Sequence, residues 1–498
     1  MRHYLLALLL GALLPLAFAP FHAWYAGVAS LTGLCLLWLS SQRTARIGFC
    51  YGLGYFGVGL HWVYISLHSF GGAPLIFAIL ANALMVLVLA LFPLFAGLFL
   101  RWLSCPGTAL RALLIPLLWM LGELARSYIL SGFPWLSVGY SQFAAPLEGL
   151  APLSGVFGIG LILMVIVSLL ALTLHRRALL PGVIALLLAA ICFPTRYLSF
   201  TTPIGYPFTV ALVQGNIPQL TKFDPGLIHT HIGHYIDLSV RRNESVIIWP
   251  ETAIAFMEED VRDSVLLRLD RLLASRGQTL VTGIPTGDLA NGIYYNSVIT
   301  LGKGHGRYDK HHLLPFGEYL PLRSLFAIFR DYVDIPLADF SRGTATQMPI
   351  STNGIPAGVS ICFEAAFGRV MRQSMPYAQY LINVSNDGWF EDSIAADQHL
   401  HMNQMRALEL GREMARATNN GISVFLDHKG RIKQRLPRFT RDVLAGQVQP
   451  RVGLTPYARY GDTIFHALLA AYALFLATFA WAVRHARPTP FVPYHREQ

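Results

Sequence analysis

The most constraining feature of this chain is the near absence of acidic residues from its first 200 positions. Of the 28 aspartate and glutamate residues, only Glu123 and Glu148 lie in this part, which consists largely of long apolar runs. A helix needs about 20 apolar residues to cross the hydrocarbon core of a bilayer. These runs therefore predict seven transmembrane helices before residue 196, and a later run predicts an eighth. The predicted spans are 4–20, 21–40, 47–67, 74–100, 108–130, 152–174, 178–195 and 464–483.

The charge of the chain agrees with a membrane protein. Charged residues make up 13% of the sequence, whereas a soluble domain carries about 25%. Much of the net charge of +10 lies in short connections between apolar runs, so we do not expect a nucleic-acid partner. The composition also excludes collagen-like, disordered and disulfide-framework classes.

Basic residues beside the spans predict the orientation of the chain. If all eight spans cross, the arginines near their ends lie on one side of the membrane, and Arg126 and Arg196 are the exceptions. The arginines that share this side are Arg2, Arg43, Arg46, Arg101, Arg111, Arg176, Arg177, Arg484, Arg487 and Arg496. The positive-inside rule then puts both termini in the cytoplasm and residues 196–462 outside. Residues 1–19 also resemble a cleavable signal peptide, but we favour an uncleaved span because a second span follows at once.

The later part of the chain has the composition of a globular domain. Short β-branched-rich runs alternate with helical patterns, which predicts a layered α/β domain. We expect a membrane domain at 1–195, a globular domain at 196–462, and a C-terminal helix with a cytoplasmic tail at 463–498. The predicted strands are 208–216, 245–251, 279–286, 295–301, 357–363, 380–385 and 421–427. The predicted helices are 226–242, 261–276, 365–376 and 396–417, with hairpin additions near 302–312 and 430–450.

Cys362 is the candidate nucleophile, since it is the only cysteine between residues 196 and 462. It lies where a predicted strand runs into a predicted helix. The N–H groups of a helix N-terminus stabilise a thiolate and an oxyanion. The alternative is that Cys362 only packs in the apolar core as a small side chain, which is the usual state of a free cysteine.

A nucleophilic thiol also needs a base and a positive charge, because its ordinary pKa is about 8.5. Glu251 follows an apolar strand and Pro250, while Lys310 and Glu318 lie in a segment that ends in a Pro/Gly loop. Each residue alone is compatible with a solvated side chain. Glu, Lys and Cys at three strand ends of one domain together predict an active site.

These residues carry a family resemblance. Trp249-Pro-Glu251, Tyr308-Asp-Lys310 and Ile361-Cys-Phe-Glu364 resemble the Glu–Lys–Cys triad of the nitrilase superfamily. With the predicted spans, the whole chain resembles the apolipoprotein N-acyltransferase family of the Gram-negative inner membrane. Further matches are Val213-Gln-Gly-Asn-Ile-Pro218, Ser131-Gly-Phe-Pro-Trp135, Asn383-Val-Ser-Asn-Asp-Gly-Trp-Phe390, Gln398-His399, Met405-Arg-Ala-Leu-Glu409 and Arg416-Ala-Thr-Asn-Asn-Gly421. The chain departs from the family at two positions. The family often has tyrosine where this chain has Phe363, and often has tryptophan where this chain has Phe223, in a loop over the site.

The resemblance implies a bundle of about eight transmembrane helices and an extracytoplasmic αββα nitrilase-like domain. Glu251 would be the general base, Lys310 the oxyanion stabiliser and Cys362 the nucleophile. The acyl chain of a phospholipid, typically phosphatidylethanolamine, would pass through a thioester to the α-amino group of a diacylglyceryl apolipoprotein. The implied enzyme is a monomer without a cofactor, and its catalytic domain is periplasmic. Supporting residues would be Glu318, Glu364, Phe363, Asn386 and Trp389, and substrate-binding residues Phe223 and Phe316.

Several alternatives accompany this interpretation. His311-His312 and His399-x-His401 lack cysteine or carboxylate partners at ligand spacing, so we expect no metal site. Glu123 and Arg126, one helical turn apart, are either functional or a structural ion pair. Apolar residues at 316–329 form either a lipid portal or core packing.

Two other functions are open to such a chain. One is a membrane-tethered amidase, in which water resolves the thioester, and the other is a transporter or sensor whose outer domain only binds a ligand. The triad argues against a binder, and the membrane domain with its apolar loops argues against an amidase.

Overall fold

The computed structural model describes residues 1–103, 107–288, 290–319 and 340–485. Helices occupy the positions of all eight predicted spans. They are α1 (Arg2–Leu13), α2 (Trp24–Ser40), α3 (Thr44–Gly59), α4 (Leu75–Trp102), α5 (Thr108–Tyr128), α6 (Ala151–Arg176), α7 (Leu179–Cys192) and, after the globular domain, α11 (Thr463–His485).

Five of these helices, α4 to α7 and α11, are long and apolar enough to cross a membrane. For some of them this length includes a short helical turn that adjoins the helix. Helices α1, α2 and α3 have 12, 17 and 16 residues, fewer than the roughly 20 that a crossing needs. The count of eight crossings therefore stays a prediction. Helix α3 ends early, and a short turn (Val63–Ile65) and a π-helical turn (Ser66–Phe70) follow it.

Helix α3 packs between α1 and α4 at very short range. A Cβ atom added at Gly54 would lie 2.1 Å from the carbonyl oxygen of Leu8, and one added at Gly48 would lie 2.1 Å from that of Pro93. Small residues are what allow helix backbones to approach so closely inside a membrane bundle.

In its described residues, the globular domain is a sandwich of two six-stranded sheets. One sheet has the order β13-β2-β3-β4-β5-β6 and the other β12-β11-β10-β9-β8-β7, while β1 pairs with β14. The strands are β1 (Thr202–Pro203), β2 (Phe208–Gln214), β3 (Val246–Ile248), β4 (Thr279–Asp288), β5 (Ile293–Gly302), β6 (Arg307–Asp309), β7 (Ile350–Thr352), β8 (Ile355–Ile361), β9 (Tyr380–Ser385), β10 (Met414–Thr418), β11 (Val424–Leu426), β12 (Ile432–Arg435), β13 (Asp442–Val448) and β14 (Arg451–Val452).

Helices cover both outer faces of the sandwich. Helices α8 (Ile228–Val240) and α9 (Leu267–Ser275) pack on the first sheet, and α10 (Ala395–Leu410) packs on the second. A separate apolar core fills the space between the sheets. This is the four-layer αββα arrangement that the family resemblance implies. Short helices occupy Glu258–Val261, Gly368–Met371 and Pro456–Tyr460.

The parallel strands bring several chain segments to one edge of the sandwich. β3 runs parallel to β2 and β4, and β9 runs parallel to β8 and β10. Parallel strands all end at the same edge of a sheet, so the residues after β8 and β9 emerge together from the second sheet. A hydrogen bond from the N–H of Asn386 to the carboxylate of Glu251 brings the end of β3, in the first sheet, to the same place. Those residues include Glu251, Cys362 and Asn386.

Each of the seven predicted strands overlaps an observed strand, but three other predictions were wrong in part. The helix predicted at 396–417 ends at Leu410, because Gly411 adopts a left-handed conformation (φ 62°) and Met414–Thr418 forms β10 between β9 and β11. The helix predicted at 365–376 is broken by extended backbone at Phe367, which leaves only Gly368–Met371 α-helical.

The hairpin predictions have mixed outcomes. The hairpin near 302–312 is confirmed, since β5 and β6 pair antiparallel. The segment 430–450 is not one hairpin. β12 pairs with β11, whereas β13 crosses to the other sheet and pairs with β2.

One apolar core joins the membrane helices to the globular domain. Phe363, Phe367, Met402 and Met405 belong to the same buried cluster as the interior residues of the membrane helices. The edge of the sandwich that carries Cys362 is therefore packed against the membrane domain.

Candidate active site

The structure brings Glu251, Lys310 and Cys362 together in one buried site. Lys310 Nζ lies 3.4 Å from Glu251 Oε1 and 2.9 Å from Glu318 Oε1. The two carboxylates raise the pKa of the lysine despite its burial. Lys310 is thus a permanent cation between two anions.

Glu251 leaves β3 through Trp249 and Pro250, and both of its carboxylate oxygens accept hydrogen bonds. Asn296 Nδ2 donates to Oε1 at 2.8 Å, and the main-chain N–H of Asn386 donates to Oε2 at 3.0 Å. Asn386, predicted as a supporting residue, therefore acts on Glu251 through its backbone. These bonds fix the orientation of the carboxylate beside Lys310.

Glu318 completes the charged cluster from the loop after Lys310. Its Oε1 accepts from both Lys310 and Asn296 Nδ2, the latter at 2.7 Å, and its Oε2 accepts from the N–H of Leu314 at 2.8 Å. Asn296, in the interior of β5, thus donates to Glu251 and Glu318 together. Asn296 was not among the site residues predicted from the sequence.

Cys362 stands at the end of β8 in a strained conformation. Its φ of 51° lies in the left-handed region, which few residues other than glycine adopt. Burial and, to a smaller extent, the charge of Glu251 raise the pKa of its thiol to about 12, although Lys310 opposes the change. The resting thiol is therefore protonated near neutral pH and needs a base to become a nucleophile.

Glu364 ties the turn after β8 to the segment that carries Lys310. Its fully buried carboxylate accepts from the N–H groups of Ile361, His311 and His312, each at 2.9 Å, and from the hydroxyl of Tyr308. Burial raises the pKa of this carboxyl. Glu364 therefore fixes Cys362 and Lys310 relative to each other.

A second lysine lies in the site. Lys222 Nζ is buried and donates to the main-chain carbonyl oxygen of Glu251 at 2.9 Å. Burial lowers the pKa of Lys222 to about 8, although Glu251 opposes the shift. The ring of Phe223, predicted to contact substrate, is half-buried with its centroid 6.0 Å from Lys222 Nζ. Phe223 was predicted from the sequence as a site residue, whereas its buried neighbour Lys222 was not.

Phe316, the other predicted substrate contact, lies in the loop between Lys310 and Glu318. It has a left-handed backbone conformation and an exposed ring. Most of the predicted lipid portal at 316–329 lies outside the described residues, which stop at Tyr319 and resume at Phe340.

Phe363 and Trp389 face the membrane domain. The ring of Phe363 stacks on Phe133 and Trp135, each at 6.5 Å between centroids. The carbonyl oxygen of Trp389 accepts from Ser66 Oγ at 2.7 Å, and its ring meets that of Phe70 edge to face. Aromatic residues of the membrane domain thus form a wall beside Cys362.

Glu123 and Arg126 hold this wall in place. Arg126 donates to the carbonyl oxygens of Phe133 and Trp135. Glu123 Oε1 accepts from Trp119 Nε1 at 3.1 Å and from the N–H of Val138 at 2.9 Å. These contacts favour the structural interpretation of the two residues.

Two of the histidines considered as metal ligands, His399 and His401, make hydrogen bonds to the main chain. His399 Nε2 lies 2.9 Å from the carbonyl oxygen of Cys362, and His401 Nδ1 accepts from the N–H of Ala19. Across the parts of the chain that the structure describes, no group of three or more histidine, cysteine or acidic residues could hold a metal ion.

Comparison with known proteins extends over both parts of the chain. Residues 10–169 match the family model "Apolipoprotein N-acyltransferase N-terminal domain", and residues 209–457 match "Carbon-nitrogen hydrolase". A protein of Methylococcus capsulatus named apolipoprotein N-acyltransferase is 42% identical over 93% of each chain. Proteins of the same name from Azotobacter vinelandii (41% identical, 92% of this chain and 91% of the other) and Pseudomonas syringae pv. tomato (38%, 97% of both) are also similar.

Proposed function

The chain belongs to the apolipoprotein N-acyltransferase family, and from this premise we propose that it transfers an acyl chain from a phospholipid to the α-amino group of the diacylglyceryl-cysteine of apolipoproteins. One observation carries the proposal. Cys362 lies beside a carboxylate and a lysine in a buried site, and the next residue, Phe363, packs on aromatic residues of the membrane domain. Such a site has both the chemistry of acyl transfer and access to lipid.

In the first half-reaction, Cys362 Sγ attacks the ester carbonyl carbon of the phospholipid while Glu251 takes the thiol proton. Lys310 Nζ stabilises the negative charge that develops on the carbonyl oxygen. The C–O bond of the ester then breaks, the leaving alkoxide takes the proton from Glu251, and a lysophospholipid departs. Cys362 now carries the acyl chain as a thioester. Phosphatidylethanolamine is the proposed donor.

In the second half-reaction, the neutral α-amino group of the apolipoprotein attacks the thioester carbon. Glu251 takes a proton from the amine and returns it to the departing thiolate, so that an amide forms and the Cys362 thiol is restored. The buried position of the site protects the thioester from water. These steps use groups of the chain itself and need no cofactor.

The other predicted residues take supporting roles in this scheme. Glu318 and Asn296 hold Lys310 and Glu251 in place, and Glu364 and Asn386 fix the segments that carry them. The aromatic side chains of Phe363 and Trp389, together with Phe223 and Phe316, contact the lipid substrates. The enzyme works as a monomer.

The proposed topology follows from the arginines at the span ends. Both termini then lie in the cytoplasm: the first precedes the membrane domain (1–195), and the second ends the C-terminal helix and tail (463–498). The globular domain (196–462) lies in the periplasm. This orientation puts the site at the outer leaflet of the inner membrane.

A direct test is to incubate the purified protein with phosphatidylethanolamine and measure its intact mass. We expect the mass of one acyl chain on Cys362, its loss on adding a diacylglyceryl-cysteine peptide, and one amide product for each chain lost. Cys362→Ala should stay folded and carry no acyl chain. Acyl transfer by this variant would overturn the mechanism, and release of free fatty acid in place of the amide would favour the amidase.

A further inference from the structure

We infer that Gln398 and His399, neighbours on α10, connect the nucleophile to the membrane domain, and that His399 is a positioning residue for acyl transfer. This inference rests on the function proposed above. Neither residue touches the reacting atoms. Their effect is exerted through the main chain of Cys362 and through the aromatic wall beside it.

His399 holds the carbonyl group of Cys362. Its Nε2 lies 2.9 Å from that carbonyl oxygen, and since a carbonyl oxygen only accepts, Nε2 carries the proton. On the other side of the ring, Nδ1 lies 3.0 Å from Asp387 Oδ1 and 3.2 Å from Arg416 Nη2. Arg416 also donates to Asp387 Oδ2 at 2.8 Å. All three side chains are buried, so the imidazole is fixed in one orientation.

This hydrogen bond also sets the direction of a neighbouring N–H group. In a trans peptide unit the C=O and N–H bonds point in opposite directions. A bond that fixes the carbonyl of Cys362 therefore fixes the N–H of Phe363 as well. Phe363 lies in the first turn of the 3₁₀ helix that begins at Cys362, where N–H groups have no acceptor within the helix. It is therefore a suitable backbone donor for the oxyanion, and His399 holds it in position.

Gln398 makes the connection to the membrane domain. Its Oε1 accepts from Trp62 Nε1 at 3.1 Å and from Trp135 Nε1 at 2.7 Å, and its Nε2 donates to the carbonyl oxygen of Gly59 at 3.3 Å. The end of α3 and the loop after α5 therefore meet at one amide group. The next residue of α10, His399, holds the carbonyl group of Cys362. The aromatic wall and the oxyanion site are therefore supported by the same helix.

The first test compares His399→Leu with His401→Leu. His401 is a buried histidine two residues later on the same helix, and its Nδ1 accepts from the N–H of Ala19 in the membrane domain, so His401→Leu is the matched control. We expect His399→Leu to slow acylation of Cys362 by phosphatidylethanolamine by about 10²-fold, the usual effect of a displacement of about 1 Å at a reacting centre. KM for the phospholipid should not change, and His401→Leu should acylate at the wild-type rate.

Rescue separates positioning from a general structural role. The side-chain amide of His399→Gln can still donate to the Cys362 carbonyl, so this variant should recover much of the rate that His399→Leu loses. Trp135→Phe keeps the aromatic ring but removes the donor to Gln398, and it should slow acylation. Trp38→Phe, whose indole donates to Thr44 within the membrane domain, should not.

Wild-type acylation in His399→Leu, or equal losses in His399→Leu and His401→Leu, would overturn the inference. Absence of acylation in the wild-type protein would instead overturn the proposed function. In that event a p-nitrophenyl ester of a short fatty acid, which needs no lipid site, serves as the probe. Equal rates of Cys362 acylation by this ester in wild type and His399→Leu would again contradict the positioning role.

Discussion

Lys222 Nζ donates a hydrogen bond to the main-chain carbonyl oxygen of Glu251 at 2.9 Å. The second lysine of the site therefore binds the backbone of the proposed base, while Lys310 binds its carboxylate. Lys310 has two carboxylate partners that keep it charged, whereas burial lowers the pKa of Lys222 to about 8. The pKa values of the two lysines are therefore shifted in opposite directions. The lowered pKa of Lys222 makes the free energy of unfolding depend on pH.

The first prediction concerns Lys222→Met. The pKa of Lys222 is about 8 in the folded state and ordinarily 10.5, so between these values the unfolded chain binds a proton that the folded chain lacks. Lys222 should therefore add to the free energy of unfolding as the pH rises across this window, by at most about 3 kcal/mol. The raised pKa of Cys362 acts in the opposite direction above about pH 8.5, but it is common to wild type and Lys222→Met. Thermal unfolding in detergent from pH 7 to 10.5 should therefore show the contribution of Lys222 as a growing difference between the two proteins.

Lys303→Met is the matched control, because Lys303 is an exposed lysine just after β5. It should unfold with the pH dependence of wild type. The same dependence in Lys222→Met would show that Lys222 titrates normally.

The second prediction separates the two effects of Glu251 on Cys362. Its charge adds to the burial that raises the pKa of the thiol to about 12, so Glu251→Gln should lower this pKa. Alkylation of Cys362 by iodoacetamide at pH 9 to 10 should then become faster. Acylation by phospholipid should become slower by about 10²–10⁴-fold because the base is gone. An unchanged alkylation profile would remove Glu251 from the neighbourhood of the thiol.

The third prediction concerns the charge balance of Lys310. Lys310→Met leaves Glu251 and Glu318 buried without their cation, which should cost about 3–5 kcal/mol of stability. Adding Glu318→Gln removes one of the two uncompensated charges, so the double variant should recover much of the loss in denaturant unfolding. Acylation should stay reduced by roughly 10²–10³-fold in both, since the oxyanion stabiliser is absent. Recovered acylation in the double variant would contradict the role of Lys310.

The fourth prediction tests the topology. A cysteine placed at the exposed Asn291 should react with an impermeant maleimide on intact spheroplasts, and one placed at the exposed Gln42 should not. Gln42 lies beside Arg43 and Arg46, which the positive-inside rule puts in the cytoplasm. Both positions should react after the membrane is permeabilised. The reverse pattern would turn the globular domain toward the cytoplasm and contradict the proposed access to the outer leaflet.

The proposed triad could be located from the sequence because each member follows a strand. Glu251 and Cys362 end apolar runs, and Lys310 follows a short polar strand of a hairpin. Asn296 has no such signal, since it lies inside β5 and gains its importance only from the two carboxylates that approach it. Lys222 lies in a loop, where a lysine is ordinarily solvated, and only the tertiary structure buries it.

The fold was predictable where hydrophobic periodicity was unambiguous and not elsewhere. Residues Met414–Thr418 are buried on both faces of the strand, so their pattern suited a continued helix as well as a central strand. The return of Asp442–Val448 to the opposite sheet depends on pairing with β2, more than 220 residues earlier. No local pattern encodes that partner.

The shared core of Phe363, Phe367, Met402 and Met405 with the membrane helices sets a limit on how this protein can be divided. A soluble fragment of residues 196–462 would expose these side chains to water and lose the wall against which its nucleophile is placed. A generic membrane anchor in place of the native helices would keep the fragment at the bilayer without restoring that surface. The two parts are therefore a single structural unit, and a substitution in a membrane helix can change the chemistry of Cys362 without touching the globular domain.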